Sequence, residues 1–217
     1  GLRKARAILL HINELGLPCA TEFLDPIVPQ YTADLVSWSA IGARTTESQT
    51  HRELSSGLSM PVGFKNATDG SLEVAYNAMC AARQPHAFLG VTQEGKTCIV
   101  RTTGNPDVHM VLRGGEKGPN YSKAHIAFAK TLLEEFPIQR PIMIDCSHGN
   151  SSKDHKKQTI VFKSVIEQYE KGNMSITGVM LESHLVEGRQ DLKAGQSLCY
   201  GQSITDACIN WETTEKL

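Results

Sequence analysis

Short apolar runs alternate with stretches of helical periodicity along this chain, and that alternation restricts the fold more than any other feature. Strand-like runs lie at 19–24, 39–43, 61–64, 87–91, 141–146 and 176–181. Between them, apolar residues recur at helical spacing. Leu2, Ala5, Ile8, Leu9, Ile12 and Leu15 do so ahead of a Gly16 stop, and 34–38, 72–82, 122–136 and 153–170 follow the same rule. A polar helix starts near Thr46 and contains Glu47 and Glu53, and Thr68-Asp69-Gly70 is placed to cap the helix at 72–82. Short apolar strands separated by helices signal a parallel sheet covered by helices, either doubly wound or closed into a barrel. Two further runs, 97–102 and 108–112, are joined by Gly104-Asn105-Pro106-Asp107 and read as a β-hairpin inserted into that pattern. After Glu182-Ser183-His184 the chain reads as loop until Ser203-Ile204-Thr205-Asp206. No repeat or linker interrupts it, so 1–217 is expected to be a single domain.

Charge narrows the function. Lys and Arg total 22 against 23 Asp and Glu, for a net charge of -1. That balance argues against nucleic acid as the main partner but leaves room for a local basic pocket. No apolar run nears the roughly 18 residues that span a bilayer, so no membrane contact is expected. The six cysteines, Cys19, Cys80, Cys98, Cys146, Cys199 and Cys208, form no C-x-x-C pair. A core of this size needs no disulfide staples, so reduced thiols and a cytoplasmic location are expected.

The charged residues fall in a pattern. Arg44, Lys65, Arg113, His148 and Glu182 each come just after a strand-like run. In parallel α/β folds those strand ends share one face, where active sites form. Arg44, Lys65 and Arg113 would make an anion site suited to phosphate and carboxylate. His148, Glu182 and Asp206 would make a mixed nitrogen and oxygen site for Mn, Fe, Co or Zn. Each residue also has a simpler explanation when taken alone. Arg44 can be a surface charge, Arg113-Gly114-Gly115 a loop turn, His148 a core or capping histidine. Cys146 and His148 form one C-x-H pair, too little for a metal site. Ser147 beside His148 lacks a G-x-S-x-G turn, and Gly114-Gly115 falls short of a dinucleotide fingerprint. Repetition at strand ends is what favours function.

Several longer segments carry a resemblance. They are Ala40-Ile41-Gly42-Ala43-Arg44-Thr45-Thr46-Glu47-Ser48-Gln49, His51-Arg52-Glu53-Leu54, Pro61-Val62-Gly63-Phe64-Lys65-Asn66 and Leu112-Arg113-Gly114-Gly115. Ile144-Asp145-Cys146-Ser147-His148-Gly149-Asn150-Ser151, Gly178-Val179-Met180-Leu181-Glu182-Ser183 and Ser203-Ile204-Thr205-Asp206-Ala207-Cys208 complete the set. In this order the chain resembles the 3-deoxy-D-arabino-heptulosonate 7-phosphate (DAHP) synthases of the microbial, feedback-regulated type.

The resemblance implies a TIM (β/α)8 barrel and a transferase reaction. Phosphoenolpyruvate would condense with erythrose 4-phosphate, releasing phosphate, as the entry step of aromatic amino-acid synthesis by the shikimate and chorismate route. It implies that Arg44, Lys65 and Arg113 bind phosphoenolpyruvate, with Ala43 contributing backbone and Glu22 a carboxylate nearby. It implies that His148, Glu182 and Asp206 hold a divalent metal, and that Lys65 or the region of His148 handles protons. A homo-oligomer, dimer or tetramer, and an aromatic amino-acid inhibitor are implied too. The inhibitor would bind near Gln30, Ser59 and Phe88, beside the hairpin. Gly90 stands where phenylalanine-sensitive members carry Ser, which leans towards tyrosine.

Other family features lie outside these residues. The fourth metal ligand, a cysteine, and a Lys-Pro-Arg-Thr segment belong upstream of Gly1. Ala67 and Asn210 replace usual glycines. About six βα strands are legible where a barrel needs eight, and 217 residues fall below the ~250 of a typical barrel. The expectation is a barrel lacking its first two strands, part of a longer enzyme and inactive in isolation. Two rivals stand beside it: a related phosphoenolpyruvate-dependent sugar-phosphate synthase, and a non-catalytic barrel piece that binds a regulatory amino acid.

Overall fold

The structure, a computed structural model, describes residues 1–92, 94–134, 136 and 142–217. It divides into two compact units, 1–67 with 71–110, and 68–70 with 111–217.

The first unit opens with helix α1 (Leu2–Glu14), which buries none of its residues and is moored by Asn13 to the Leu35 carbonyl. Strand β1 (Ala20–Glu22), the short helix α2 (Pro29–Thr32) and a 3-10 turn (Ala33–Leu35) come next. The helical pattern expected at 34–38 is only that turn, and Trp38 already begins β2 (Trp38–Ile41). Helix α3 (Gln49–Ser55) starts later than Thr46, because the Thr45 and Thr46 N–H groups both fold back onto the Gly42 carbonyl. Strand β3 (Val62–Lys65) and helix α4 (Glu73–Ala82) follow. Leu72, not the Thr68-Asp69-Gly70 turn, occupies the α4 N-cap, and no side chain caps it. α4 buries Ala75, Ala78, Met79 and Ala82, spaced as one helical face. β1, β2 and β3 pair in parallel, Ala20 with Trp38 and Ser39 with Val62.

The inserted hairpin lies elsewhere than expected. β4 (Ala87–Val91) pairs antiparallel with β5 (Thr97–Arg101), Leu89 facing Ile99. The strand β6 (Val108–Leu112) is instead buried at every position and lies beside β3, with Val62 N–H donating to the Asp107 carbonyl. Burial on both faces marks a core strand, whereas β4 and β5 alternate in exposure as a surface hairpin does. The Gly104–Asp107 stretch is no hairpin turn. Asn105 donates to the Ser55 and Met60 carbonyls, and a Cβ on Gly104 would lie 2.1 Å from the Arg83 carbonyl.

Beyond 68–70, the second unit starts at the last two residues of β6. Helix α5 (Lys123–Leu132) is capped by Ser122, whose hydroxyl accepts from the His125 N–H. Residues 135 and 137–141, the end of the expected 122–136 helix and the start of the 141–146 strand, lie outside the described residues. Strand β7 (Ile142–Asp145), helix α6 (Gln158–Glu170) and strand β8 (Ile176–Met180) follow, and β7 and β8 pair in parallel. The region read as loop holds β9 (Val186–Arg189) and β10 (Gln202–Ser203), a short parallel pair, before helix α7 (Trp211–Glu215). β9 reads Val-Glu-Gly-Arg and is largely exposed, so it carries no apolar signal. Each unit thus holds parallel strands followed by helices, as the sequence pattern predicts.

Candidate functional site

Two adjacent strands of the second unit deliver the acid and base groups. Asp145 pairs with Met180 at the ends of β7 and β8, so His148 and Glu182 emerge two to three residues beyond neighbouring strand ends. Asp206 reaches them through the tail. Gly188 and Cys208 exchange backbone hydrogen bonds, and Ile209 N–H donates to the Glu182 carbonyl at 2.9 Å. His148 Nε2 then lies 3.3 Å from Asp206 Oδ2 and 4.0 Å from Glu182 Oε1. One ligand-capable atom of each of the three lies within 4.8 Å of the others. One imidazole and two carboxylates at that spacing fit a divalent transition ion.

Buried polar side chains hold the cluster. Gln158, fully buried at the start of α6, bonds both the N–H and the carbonyl of Glu182. Asn150 donates to the Leu112 and Asp145 carbonyls, and its Oδ1 accepts from Asn120 N–H. Asp145, with no exposed surface, contacts His148 Nδ1 at 2.9 Å. Nothing in the sequence marks the bracing roles of Gln158 and Asn150, although Asn150 lies in a segment that carries the resemblance; a Gln at a helix start and an Asn in a loop are ordinary. His148 itself has φ +52°, a conformation that non-glycine residues adopt sparingly and mostly where function or packing demands it.

The neighbouring candidates separate. Ser147 Oγ and Asp145 both sit on the same His148 nitrogen, Nδ1. A serine triad needs the serine on one ring nitrogen and the acid on the other, so this is no nucleophile. Cys146 is fully buried, and burial followed by the Asp145 charge pushes its thiol up to about 12. It takes no part in the cluster. The Cys208 thiol is also raised, first by burial and then by Glu182.

Arg113 is buried at the end of β6, and its carbonyl accepts from the Asn150 N–H. The two glycines after it allow backbone to pack on backbone. A Cβ on Gly114 (φ +70°) would fall 2.4 Å from the Gly149 carbonyl carbon, and one on Gly115 2.4 Å from Gly70 Cα. The Arg113 loop and the His148 loop therefore meet directly.

In the first unit, Lys65 is buried as the last residue of β3. Ala43 and Arg44 occupy the turn after the adjacent β2, with Arg44 exposed. Thr46 Oγ1 lies 2.8 Å from the Lys65 carbonyl, tying that turn to the β3 end. Glu22 is exposed at the end of β1, and a Cβ on Gly42 would lie 2.1 Å from its Oε1, so the carboxylate rests on bare backbone. Elsewhere in this unit Gln30 Oε1 accepts from Val91 N–H, and a Cβ on Gly90 would meet Gln30 and Val100 at 2.9 and 2.5 Å. The hairpin that adjoins Gln30 is thus β4–β5.

Comparison with known proteins supplies the relationship. The sequence profile described as the DAHP synthetase I family matches residues 4–217. The chain is 59% identical over 217 residues to the Phe-sensitive phospho-2-dehydro-3-deoxyheptonate aldolase of Escherichia coli K12, covering all of this chain and 62% of that protein. It is 56% identical over 218 residues to the Tyr-sensitive aldolase of the same organism, covering 61% of it. A solved phospho-2-dehydro-3-deoxyheptonate aldolase from Francisella tularensis SCHU S4 superposes with a TM-score of 0.94 at 53% identity, over 99% of this chain and 62% of that one. The chain therefore spans about three-fifths of the relatives it matches. Across all but its first three residues, this chain belongs to the DAHP synthetase I family.

Proposed function

We propose that this chain forms the greater part of a DAHP synthase, condensing phosphoenolpyruvate with erythrose 4-phosphate to DAHP and phosphate. The observation that carries this reading is the convergence of His148, Glu182 and Asp206 in a chain of this family. The reading takes 1–217 as one domain of a TIM barrel in the cytoplasm, assembled as a dimer or tetramer and not acting on nucleic acid or membranes. Among the described residues no helix is long and apolar enough to cross a membrane.

Each residue has a role suited to its chemistry. Phosphoenolpyruvate carries a phosphate and a carboxylate, and Arg44, Lys65 and Arg113 supply guanidinium and ammonium groups for both. The backbone at Ala43 would contribute beside them, and Glu22 would be a carboxylate nearby. His148, Glu182 and Asp206 would hold a divalent Mn, Fe, Co or Zn ion, whose chemistry when bound is Lewis-acid polarisation of the aldehyde. C3 of phosphoenolpyruvate would attack the aldehyde carbon of erythrose 4-phosphate while the aldehyde oxygen takes up a proton, water would add at C2 and give up a proton, and breaking the C2–O bond would release phosphate and leave the C2 ketone. Lys65, or the neighbourhood of His148, would hold or pass the proton.

The relatives' names include both Phe-sensitive and Tyr-sensitive enzymes. An aromatic amino acid acting near Gln30, Phe88 and Gly90 is part of the proposal, with tyrosine favoured by the glycine at 90.

The test joins the upstream segment of the E. coli Phe-sensitive enzyme to Gly1 and assays product formation with phosphoenolpyruvate, erythrose 4-phosphate and Mn2+. Turnover lost in Lys65→Met supports the reading. Turnover with another aldose phosphate only would favour a related sugar-phosphate synthase. No turnover, with tyrosine or phenylalanine still bound, would favour a non-catalytic piece.

A further inference from the structure

We infer that Asp145 is the positioning residue that decides which ring nitrogen of His148 carries the proton, leaving Nε2 bare toward Glu182 and Asp206. The inference rests on the metal reading of that cluster and adds how its one nitrogen ligand is prepared.

Asp145 Oδ2 lies 2.9 Å from His148 Nδ1, and Ser147 Oγ lies 2.6 Å from the same nitrogen. Both Ser147 donors converge on Oδ1, the pattern of a carboxylate that only accepts, so Nδ1 donates to Oδ2. Ser147 leaves no alternative. Its backbone N–H, at 2.9 Å, and its hydroxyl, at 2.6 Å, both donate to Asp145 Oδ1. With that hydroxyl proton committed to Oδ1, Ser147 Oγ faces Nδ1 as an acceptor. Every partner of Nδ1 therefore calls for a proton there. Nε2 faces carboxylates too, but Asp206 stands 3.3 Å away and solvent-exposed and Glu182 4.0 Å away, against 2.6 and 2.9 Å to the two partners of Nδ1, so the neutral ring keeps its proton on Nδ1 and its lone pair on Nε2. Only an unprotonated nitrogen can ligate.

The same contacts predict what an isosteric change does. In Asp145→Asn the side-chain oxygen goes to the Oδ1 position, because two Ser147 donors converge there. The NH2 group then takes the Oδ2 position and donates to Nδ1. The ring proton moves to Nε2, where it blocks the lone pair, although volume and packing are unchanged. Wrong-tautomer loss of this kind is known for a histidine whose buried Asp partner becomes Asn.

Two measurements on the full chain test the inference. Nitrogen-15 NMR of the metal-free protein, at a pH where the ring is neutral, reports the His148 tautomer directly. The expected result is Nδ1–H in the parent and Nε2–H in Asp145→Asn. Calorimetric titration with Zn2+ alone is expected to show affinity about 10- to 100-fold weaker in the variant, the usual cost of losing such a partner. A parent ring protonated on Nε2, or equal zinc affinity in parent and variant, overturns the inference. The parent NMR measurement decides even where the variant does not fold. Failure of the parent to bind zinc would overturn the metal reading instead, and the tautomer result would stand apart from it.

Discussion

Gln158 grips the backbone of Glu182 with both ends of its amide. Oε1 accepts the Glu182 N–H at 2.8 Å, and Nε2 donates to the Glu182 carbonyl at 3.1 Å. The clamp joins the first residue of α6 to the chain just past β8, so the helix fixes where a candidate ligand leaves its strand. A buried amide that satisfies two main-chain groups at once is costly to replace.

Gln158→Leu keeps the volume and removes both bonds. The Glu182 carbonyl still accepts from Ile209, but its N–H loses the acceptor that Gln158 provides. Stability is expected to fall by about 1–3 kcal/mol, the penalty for one such loss. Zinc affinity should fall with it, because Glu182 loses its anchor. Denaturant unfolding and zinc calorimetry check the two effects, and unchanged zinc affinity would show that the clamp serves the fold alone.

Strand ends are legible because charge interrupts an apolar run there: Arg44, Arg113, His148 and Glu182 follow strands, and Lys65 is the last residue of one. The sequence offers 108–112 as the partner of 97–102 because both runs alternate and a Gly-Asn-Pro-Asp turn signal joins them, whereas the structure pairs 97–101 with 87–91. Exposure decides between them, and exposure comes from tertiary packing. β9 and β10 were illegible for a related reason. They are held by backbone bonds and by Gln190, whose amide spans Cys199 and Gln202, and backbone bonding leaves no apolar pattern. The buried clamps at Gln158 and Asn150 appear only once distant segments meet.

The backbone contact between the Arg113 and His148 loops depends on Gly114. Alanine there suffers a left-handed φ of +70° and a carbon 2.4 Å from the Gly149 backbone. The left-handed backbone alone costs about 1–2 kcal/mol, and the overlap adds to it. Gly172, with φ +92° and nothing within 4 Å of an added methyl, is the control. Gly172→Ala should lose only the conformational part, and Gly114→Ala clearly more, in urea unfolding. Equal losses would mean that the loops separate without penalty.

Thiol reactivity should sort by environment. Cys199 is exposed, whereas Cys146 is buried with its thiol pushed up to about 12. Only the thiolate attacks alkylating reagents, so Cys146 is protected twice, by access and by ionisation. Brief iodoacetamide treatment of the native chain followed by peptide mass spectrometry should label Cys199 and leave Cys146 unmodified until denaturant is added. Early labelling of Cys146 would mean that β7 opens locally.

His109 should make the protein acid-sensitive. It is 8% exposed on β6, and its Nε2 accepts a 3.0 Å hydrogen bond from the Trp38 indole. Burial pushes its pKa from 6.5 down to about 4, opposed in part by the Asp107 backbone. The folded state therefore prefers the neutral ring. Above pH 6.5 both states are neutral at this residue and its full contribution is present. As pH falls from 6.5 towards 4, the unfolded chain takes up a proton that the folded chain refuses, so stability declines across that window and levels off below it. The depressed value corresponds to about 3 kcal/mol. In His109→Gln a side-chain oxygen can still accept from Trp38, but nothing titrates. Urea unfolding at pH 6.5 and pH 4 should show the parent losing about 3 kcal/mol more than the variant. Equal losses in the two proteins would place the acid sensitivity on other groups.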